Sequence, residues 1–268
     1  MAERAGLLEG KQVLVMGLIN TKSFAWAIGQ RVAEEGASVT YTVQNEEFRH
    51  GFLRRSFKQE RLKFEDFRIL PCDVTSDEDI QKLFAQIEAP LDGLVHCIGF
   101  ANPQTCMQES MFGAPRADIL KALEISAVSL SLVAEAAREK FIRGGSIVTM
   151  TFDSERVYPN YNWMGVCKSA LEASARYLAR DLGSLGVRVN SLSAGPQNTT
   201  AATKIPGFDR ITAHWGGRSP VGWDLDKDRQ AVADSAIYLL SDLSRKVTGE
   251  VHHVDGGFHG ISLPIKEG

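Results

Sequence analysis

The stretch Gln12-Val13-Leu14-Val15-Met16-Gly17-Leu18-Ile19-Asn20-Thr21-Lys22-Ser23-Phe24-Ala25-Trp26-Ala27-Ile28 reads as a strand, a tight turn and the first turns of a helix. Residues 12–16 are apolar almost throughout, as a strand covered on both faces should be. Gly17 follows at the strand end, where a residue without Cβ turns sharply at no steric cost. Ser23 stands where a helix needs a capping hydroxyl, and small Ala25 and Ala27 allow that helix to pack closely. Strand, glycine turn and helix N-terminus together form the usual cradle for a dinucleotide pyrophosphate, because unpaired helical N–H groups face the anion. The glycines of the G-x-G-x-x-G pattern are absent after Gly17, so this segment alone also fits any capped helix after a strand.

Outward from it, short β-branched runs alternate with helical patterns. The runs fall at 12–16, 38–43, 67–72, 93–97, 146–150, 188–193 and 251–254, and the helical segments at 24–35, 77–88, 119–139, 161–185 and 228–240. About seven strands with intervening helices predict an α/β fold: a doubly wound parallel sheet of Rossmann type, helices on both faces, ligands beyond the strand C-termini. No linker, repeat or low-complexity tract divides the chain, so residues 1–268 are expected to form a single domain. The alternation breaks at 207–223, which holds Gly216, Gly217 and several aromatics. A substrate lid within about 197–219 is the functional reading, and an ordinary surface connection is the plain one.

Composition narrows the function. With 44% hydrophobic and 24% charged residues the chain has the balance of a soluble globular protein. Its formal net charge of −3 is too small to favour nucleic acid or an anionic membrane as partner. Cys72, Cys97, Cys106 and Cys167 form no CxxC pair and no His cluster accompanies them, so no metal site is expected and reduced thiols are. No apolar run reaches signal-peptide or membrane-span length, which points to the cytoplasm.

Further candidates for a cofactor site recur at the strand ends. Gln44-Asn45-Glu46-Glu47 places amides and acids where an NADP-binder needs a base beside the 2′-phosphate, which favours NADH, although Arg49 is near in sequence. Asp73 and Val74 after Cys72 can meet the adenine edge; Asp73 is equally suited to capping a helix, with Thr75 and Ser76 following. Ile98-Gly99 at the next strand end brings Gly99 close to the adenosine ribose. Tyr161 and Lys168 are seven residues apart on one helix, hence on one face and about 10 Å apart along its axis. At that spacing Tyr161 can donate to a substrate carbonyl while Lys168 holds the nicotinamide ribose. A packed Tyr and a solvated Lys on an amphipathic helix would look the same.

Taken in chain order, Gly17-x5-Ser23-x-Ala25, Gln44-Asn45, Cys72-Asp73-Val74, Ile98-Gly99-Phe100-Ala101, Ile125-Ser126-Ala127, Pro159-x-Tyr161-Asn162-x-Met164-Gly165 with Lys168, Ser193-Ala194-Gly195-Pro196 and Val254-Asp255-Gly256-Gly257 resemble the enoyl-acyl-carrier-protein reductases of the short-chain dehydrogenase/reductase superfamily. The resemblance runs from Gly6 to about Gly260. It implies NADH-dependent reduction of the trans-2 double bond of enoyl thioesters on acyl carrier protein, in fatty acid biosynthesis, by a homotetramer. It also implies a cofactor site at Gly17, Ser23, Phe24, Gln44, Asp73, Val74, Ile98, Lys168, Gln197, Asn198, Thr199 and Thr200, a catalytic Tyr161, and Ala101 beside the substrate.

The chain departs from that family at two places. Phe152 stands where most bacterial relatives carry a second tyrosine, and Gln197-Asn198 replaces Ile-Arg. Phe152, with Asn162-Trp163-Met164, is similar to the actinobacterial, mycolate-type branch, yet the long substrate loop of that branch is missing. A ketoacyl or alcohol dehydrogenase of the superfamily is the rival reading, but it needs Tyr-x3-Lys and this chain has Gly165 at that lysine. A nucleotide-sensing relative without chemistry could dispense with Tyr161 or Lys168, and both are present.

Overall fold

β-branched and aliphatic runs form strands here because both of their faces can be covered. In β1 (Gln12–Met16) Val13 and Val15 face one side while Leu14 and Met16 face the other, and all four are buried. The remaining strands are β2 (Ser38–Val43), β3 (Arg68–Pro71), β4 (Gly93–His96), β5 (Gly145–Thr151), β6 (Val187–Ala194) and β7 (Val251–Val254). All pair in parallel in the order β3-β2-β1-β4-β5-β6-β7. This computed structural model describes residues 5–88, 90–200 and 202–262. The ends of the expected 1–268 unit, and Ala201 within 197–219, lie outside the described residues.

The helices are α1 (Phe24–Glu34), α2 (Glu46–Phe48), α3 (Arg54–Gln59), α4 (Asp77–Gln86), α5 (Arg116–Leu123), α6 (Ser129–Ala137), α7 (Asn162–Leu182), α8 (Phe208–Arg218) and α9 (Arg229–Leu240). On one face Ile28 and Val32 of α1 and Val232 and Ala236 of α9 pack on Val13, Val15, Tyr41 and Val148. On the other, Leu83 of α4, Leu130 of α6 and Leu171 of α7 pack on Leu14, Met16, Leu94 and Ile147. Each such aliphatic side chain contributes about 1.5–3 kcal/mol by leaving water. The expected doubly wound architecture is therefore present, with strand ends within a residue of those read from the sequence.

Three local features were not legible. Between β2 and β3 a helical run covers α2, a π-helical turn Arg49–Leu53 and α3, burying Leu53 and Phe57. Its four-residue apolar spacing is masked by a density of basic residues. The expected helix at 119–139 begins earlier and is interrupted by a π-helical turn, Glu124–Val128, between α5 and α6. Within the expected lid, Phe208–Arg218 forms a full helix.

The order of strands reverses between β1 and β4, and a crevice opens there at the strand C-termini. Gly17 sits at its floor with φ +88°, and a Cβ added to it would come within 2.4 Å of the Cys97 carbonyl oxygen. Gly17→Ala should therefore destabilise the fold by at least about 2 kcal/mol, lowering the melting midpoint by about 4–8 °C. A variant that melts with the parent would show that the floor of the crevice can yield.

Candidate active site

The crevice is held together by short polar side chains. Ser23 caps α1, its Oγ accepting from Trp26 N–H at 3.2 Å and donating to the Asn20 carbonyl at 2.7 Å. No acidic residue occupies the first turn of α1, so the positive end of that helix is not neutralised from within. Asn20 reaches across the crevice, and its Nδ2 donates to Thr200 Oγ1 at 2.6 Å. Sequence reading had no signal for this tie, since the two residues are 180 positions apart. On the second side, Gln44 Nε2 donates to Asp73 Oδ2 at 3.3 Å, while Asp73 Oδ1 accepts from the Thr75 N–H and hydroxyl. Partial burial opposes ionisation of Asp73, but these donors outweigh it and hold the carboxyl below its ordinary range. The helix cap of α4 is Ser76 rather than Asp73. Asn45 caps α2 through Phe48 N–H, and Arg49 is held by both oxygens of Glu46 at 3.1 Å.

At the centre of the crevice, Ser126 in the π-helical turn grips the loop after β4, its Oγ accepting from Phe100 N–H and donating to the Phe100 carbonyl, both at 2.9 Å. That loop carries Ile98, Gly99 and Ala101. A Cβ on Gly99 would lie 3.6 Å from Lys168 Nζ, so lysine and glycine lie close together, which their separate expected places at the nicotinamide and adenosine riboses did not foresee. Lys168 is buried and donates to the Met150 carbonyl at 2.8 Å. Burial pushes its ammonium down to about 8, against the opposing pull of Cys167, Cys97 and Glu172.

Tyr161 is the residue immediately before α7 and is buried, while among the described residues its hydroxyl makes no hydrogen bond. Burial, with Cys167 and Glu172, raises its phenol above the ordinary value.

Around Tyr161 lies an apolar cluster with Ala101, Met164, Ile211 and Trp215, against which Phe152 packs. The Phe152 ring meets Tyr161 edge-on at 5.1 Å and lies 4.5 Å from Tyr158. Tyr158, which the sequence did not single out, offers no substitute for the missing second tyrosine at 152, because its hydroxyl donates to Asp153 at 3.1 Å. Helix α8 is docked on this cluster. Trp215 stacks on Phe258 at 3.7 Å and donates from Nε1 to the Asp255 carbonyl at 3.0 Å.

Gln197 and Asn198, expected at the cofactor, use their side chains elsewhere. The buried Gln197 amide donates to the Leu225 carbonyl at 2.7 Å and accepts from Arg229 N–H at 3.3 Å. Asn198 donates from its backbone to Leu225 at 2.9 Å and from its side chain to Asp226 at 3.0 Å. A buried amide has to find partners, and the free N–H groups at the start of α9 supply one. Thr199 Oγ1 accepts from Ala202 N–H, which shapes the turn toward α8.

These residues fit a dinucleotide: a tight glycine floor, a helix N-terminus without acid, and a buried lysine above Gly99. Comparison with known proteins gives the same answer. Residues 17–259 match the family model described as enoyl-(acyl carrier protein) reductase. The chain is 42% identical over 256 residues to the NADH enoyl-acyl-carrier-protein reductase of Bacillus subtilis, covering 94% of this chain and 97% of that one. It is 37% identical to the Escherichia coli K12 enzyme of the same name, over 94% and 95% of the two chains. Among solved structures, the Bacillus cereus enoyl-acyl carrier protein reductase with NADP+ and indole naphthyridinone superposes with TM-score 0.87 at 38% identity, covering 96% of this chain and all of that one. The Anaplasma phagocytophilum enzyme with NAD gives 0.86 at 35%, over 97% and 98%. Fold, crevice and both kinds of relative agree, and the chain belongs to the enoyl-acyl-carrier-protein reductase family.

Proposed function

We propose that this chain catalyses the NADH-dependent reduction of the trans-2 double bond of enoyl thioesters borne by acyl carrier protein, in fatty acid biosynthesis. The observation that carries the reading is Tyr161, a largely buried residue in an apolar cluster whose hydroxyl makes no hydrogen bond among the described residues and is not itself sealed off. NADH, when bound, supplies a hydride to the β-carbon. Negative charge then develops on the thioester oxygen, and Tyr161 donates a hydrogen bond to it, a role of oxyanion-hole type, until the enolate collapses and the α-carbon takes a proton from water. Lys168 has N–H groups to spare beyond the one given to the Met150 carbonyl and would hold the nicotinamide ribose with them, and Gly17, Ser23, Phe24, Gln44, Asp73, Val74, Ile98, Gly99, Thr199, Thr200 and main-chain groups of Gln197 and Asn198 would form the rest of the cofactor site. Ala101 and Phe152 shape the acyl pocket. Phe152 moves no proton. NADH oxidation with crotonyl thioester tests the reading directly, and carbonyl reduction of a ketoacyl thioester in its place would replace it.

The single domain carries α8 as its substrate lid within about 197–219, a role supported by the docking of Trp215 beside Tyr158 and Phe152. Leu120, Val128, Val166 and Tyr177 stand exposed on and between neighbouring helices α5, α6 and α7, which supports a homotetramer. No described helix is long and apolar enough to cross a membrane, and a cytoplasmic location is consistent with the carrier-protein substrate.

Three outcomes are expected. Glu46 holds Arg49, so converting Asn45 and Glu46 to Arg and Lys frees one base and adds two, and should shift preference from NADH toward NADPH. Equal kcat/KM for both cofactors in the parent would contradict the assignment. Tyr161→Phe should lower kcat by roughly 10- to 1,000-fold while NADH affinity holds, whereas Lys168→Ala should weaken NADH binding. Equal loss of binding in both would refute that division of labour.

The third concerns pH. Burial lowers the Lys168 pKa to about 8 in the fold from its ordinary 10.5, so the unfolded chain binds more protons between those values. Its burial therefore costs the unliganded protein on the order of 3 kcal/mol below pH 8, a cost that fades as pH rises toward 10.5. Lys168→Met should melt higher than the parent at neutral pH, with the gap closing in alkali. A gap independent of pH would mean that Lys168 is not buried as a cation.

A further inference from the structure

Glu172 lies on α7 one turn beyond Lys168 and is 4% exposed. No ion pair with Lys, Arg or His includes it among the described residues. Lys168 lends it charge from one turn away but donates to Met150 instead, and a buried carboxylate without a directly paired cation is costly and persists only where other donors hold it. Two do. Thr151 Oγ1 donates to Glu172 Oε1 at 2.7 Å, and Ser154 Oγ donates to Glu172 Oε2 at 2.5 Å. Thr151 is the last residue of β5 and Ser154 lies three residues on, so the two hydroxyls bracket Phe152 and Asp153. Phe152 is the ring set edge-on against Tyr161. One turn earlier, Lys168 grips the carbonyl of Met150. Two successive turns of α7 thus hold the end of β5 and the turn that follows it.

We propose that Glu172 is a positioning residue for the reduction: its carboxylate clamps the Thr151–Ser154 turn and thereby sets Phe152, and through it the Tyr161 ring, for donation to the substrate. The inference rests on the catalytic reading of Tyr161. Glu172 itself touches neither substrate nor cofactor. Because α1 and the strand ends that form the cofactor crevice do not depend on this clamp, its loss should fall on kcat rather than on cofactor affinity. Charge is not what the clamp needs. An amide can accept one hydroxyl and donate to the other, so glutamine should preserve it, whereas an apolar side chain of similar bulk should not.

The test compares Glu172→Met, Glu172→Gln, Ser154→Ala and Tyr161→Phe, reading kcat with crotonyl thioester, NADH affinity by fluorescence, and thermal melting. Glu172→Met should lower kcat by about tenfold or more with NADH affinity within about threefold, and Glu172→Gln should restore kcat to within about threefold of the parent. Ser154→Ala, which removes one hydroxyl and risks little of the core, should lower kcat on its own but add little on the Glu172→Met background, since both break one clamp. Full kcat in folded Ser154→Ala or Glu172→Met overturns the inference. So does a parallel collapse of kcat, NADH affinity and melting that glutamine does not rescue, which would mark Glu172 as a packing residue. If Tyr161→Phe keeps full kcat, the reading beneath falls and the inference with it. If Tyr161→Phe is impaired while the Glu172 and Ser154 variants are not, the inference fails alone.

Discussion

The carbonyl of Cys97 occupies the space that any side chain at position 17 would need. That single steric exclusion brings the ends of β1 and β4 together and decides where the crevice lies. Leu18 then bonds back to the Thr42 carbonyl at 2.8 Å, fixing the departure of the chain toward α1, while the chain beyond Cys97 turns over Gly99 beneath Lys168. The floor of the crevice depends on these two strand ends being closer than ordinary residues permit. The sheet provides the rigidity for this, because both of its faces are covered by helices and its strands cannot splay apart without exposing core.

Helix α7 is the second organising element. It delivers Tyr161 at its entry and Lys168 two turns on, and it returns to the strand end through Lys168 and Glu172. Its buried face therefore contains two ionisable groups in a setting where apolar residues would be more stable. Such local cost is typical of sites where orientation matters more than stability. The pushed-down ammonium of Lys168 is its clearest expression.

Much of this was legible in the residues. Strand positions follow from apolar runs, the crevice from their order, and the shared helix face of Tyr161 and Lys168 from their spacing, though only the ordered motifs around them single the pair out. What escaped is tertiary in origin. Asn20 reads as a loop residue until Thr200 folds onto it. Glu172 reads as a solvated helix charge until Thr151 and Ser154 turn their hydroxyls inward. Gln197 showed the opposite case, in that a polar residue at a buried position was bound to find partners, though not which ones. The helical run at 46–59 was hidden for a simpler reason: its apolar residues are outnumbered by bases.

The docking of α8 has a bearing on synthesis order. Trp215 is sealed on one side by Phe258 and the Asp255 carbonyl, and Arg218 bonds to the Ile261 carbonyl, so part of the platform for this helix is made of the chain that follows β7, the rest being the cluster of Phe152 and Tyr158. A chain emerging from the ribosome exposes Trp215 about forty residues before that platform is complete. Helix α8 and the segment after β7 must then mature together, as the last piece of the domain to close. A nascent chain halted before Asp255 would carry a nearly finished sheet and an indole covered only on its Phe152 and Tyr158 side, which is the kind of surface that chaperones and proteases recognise.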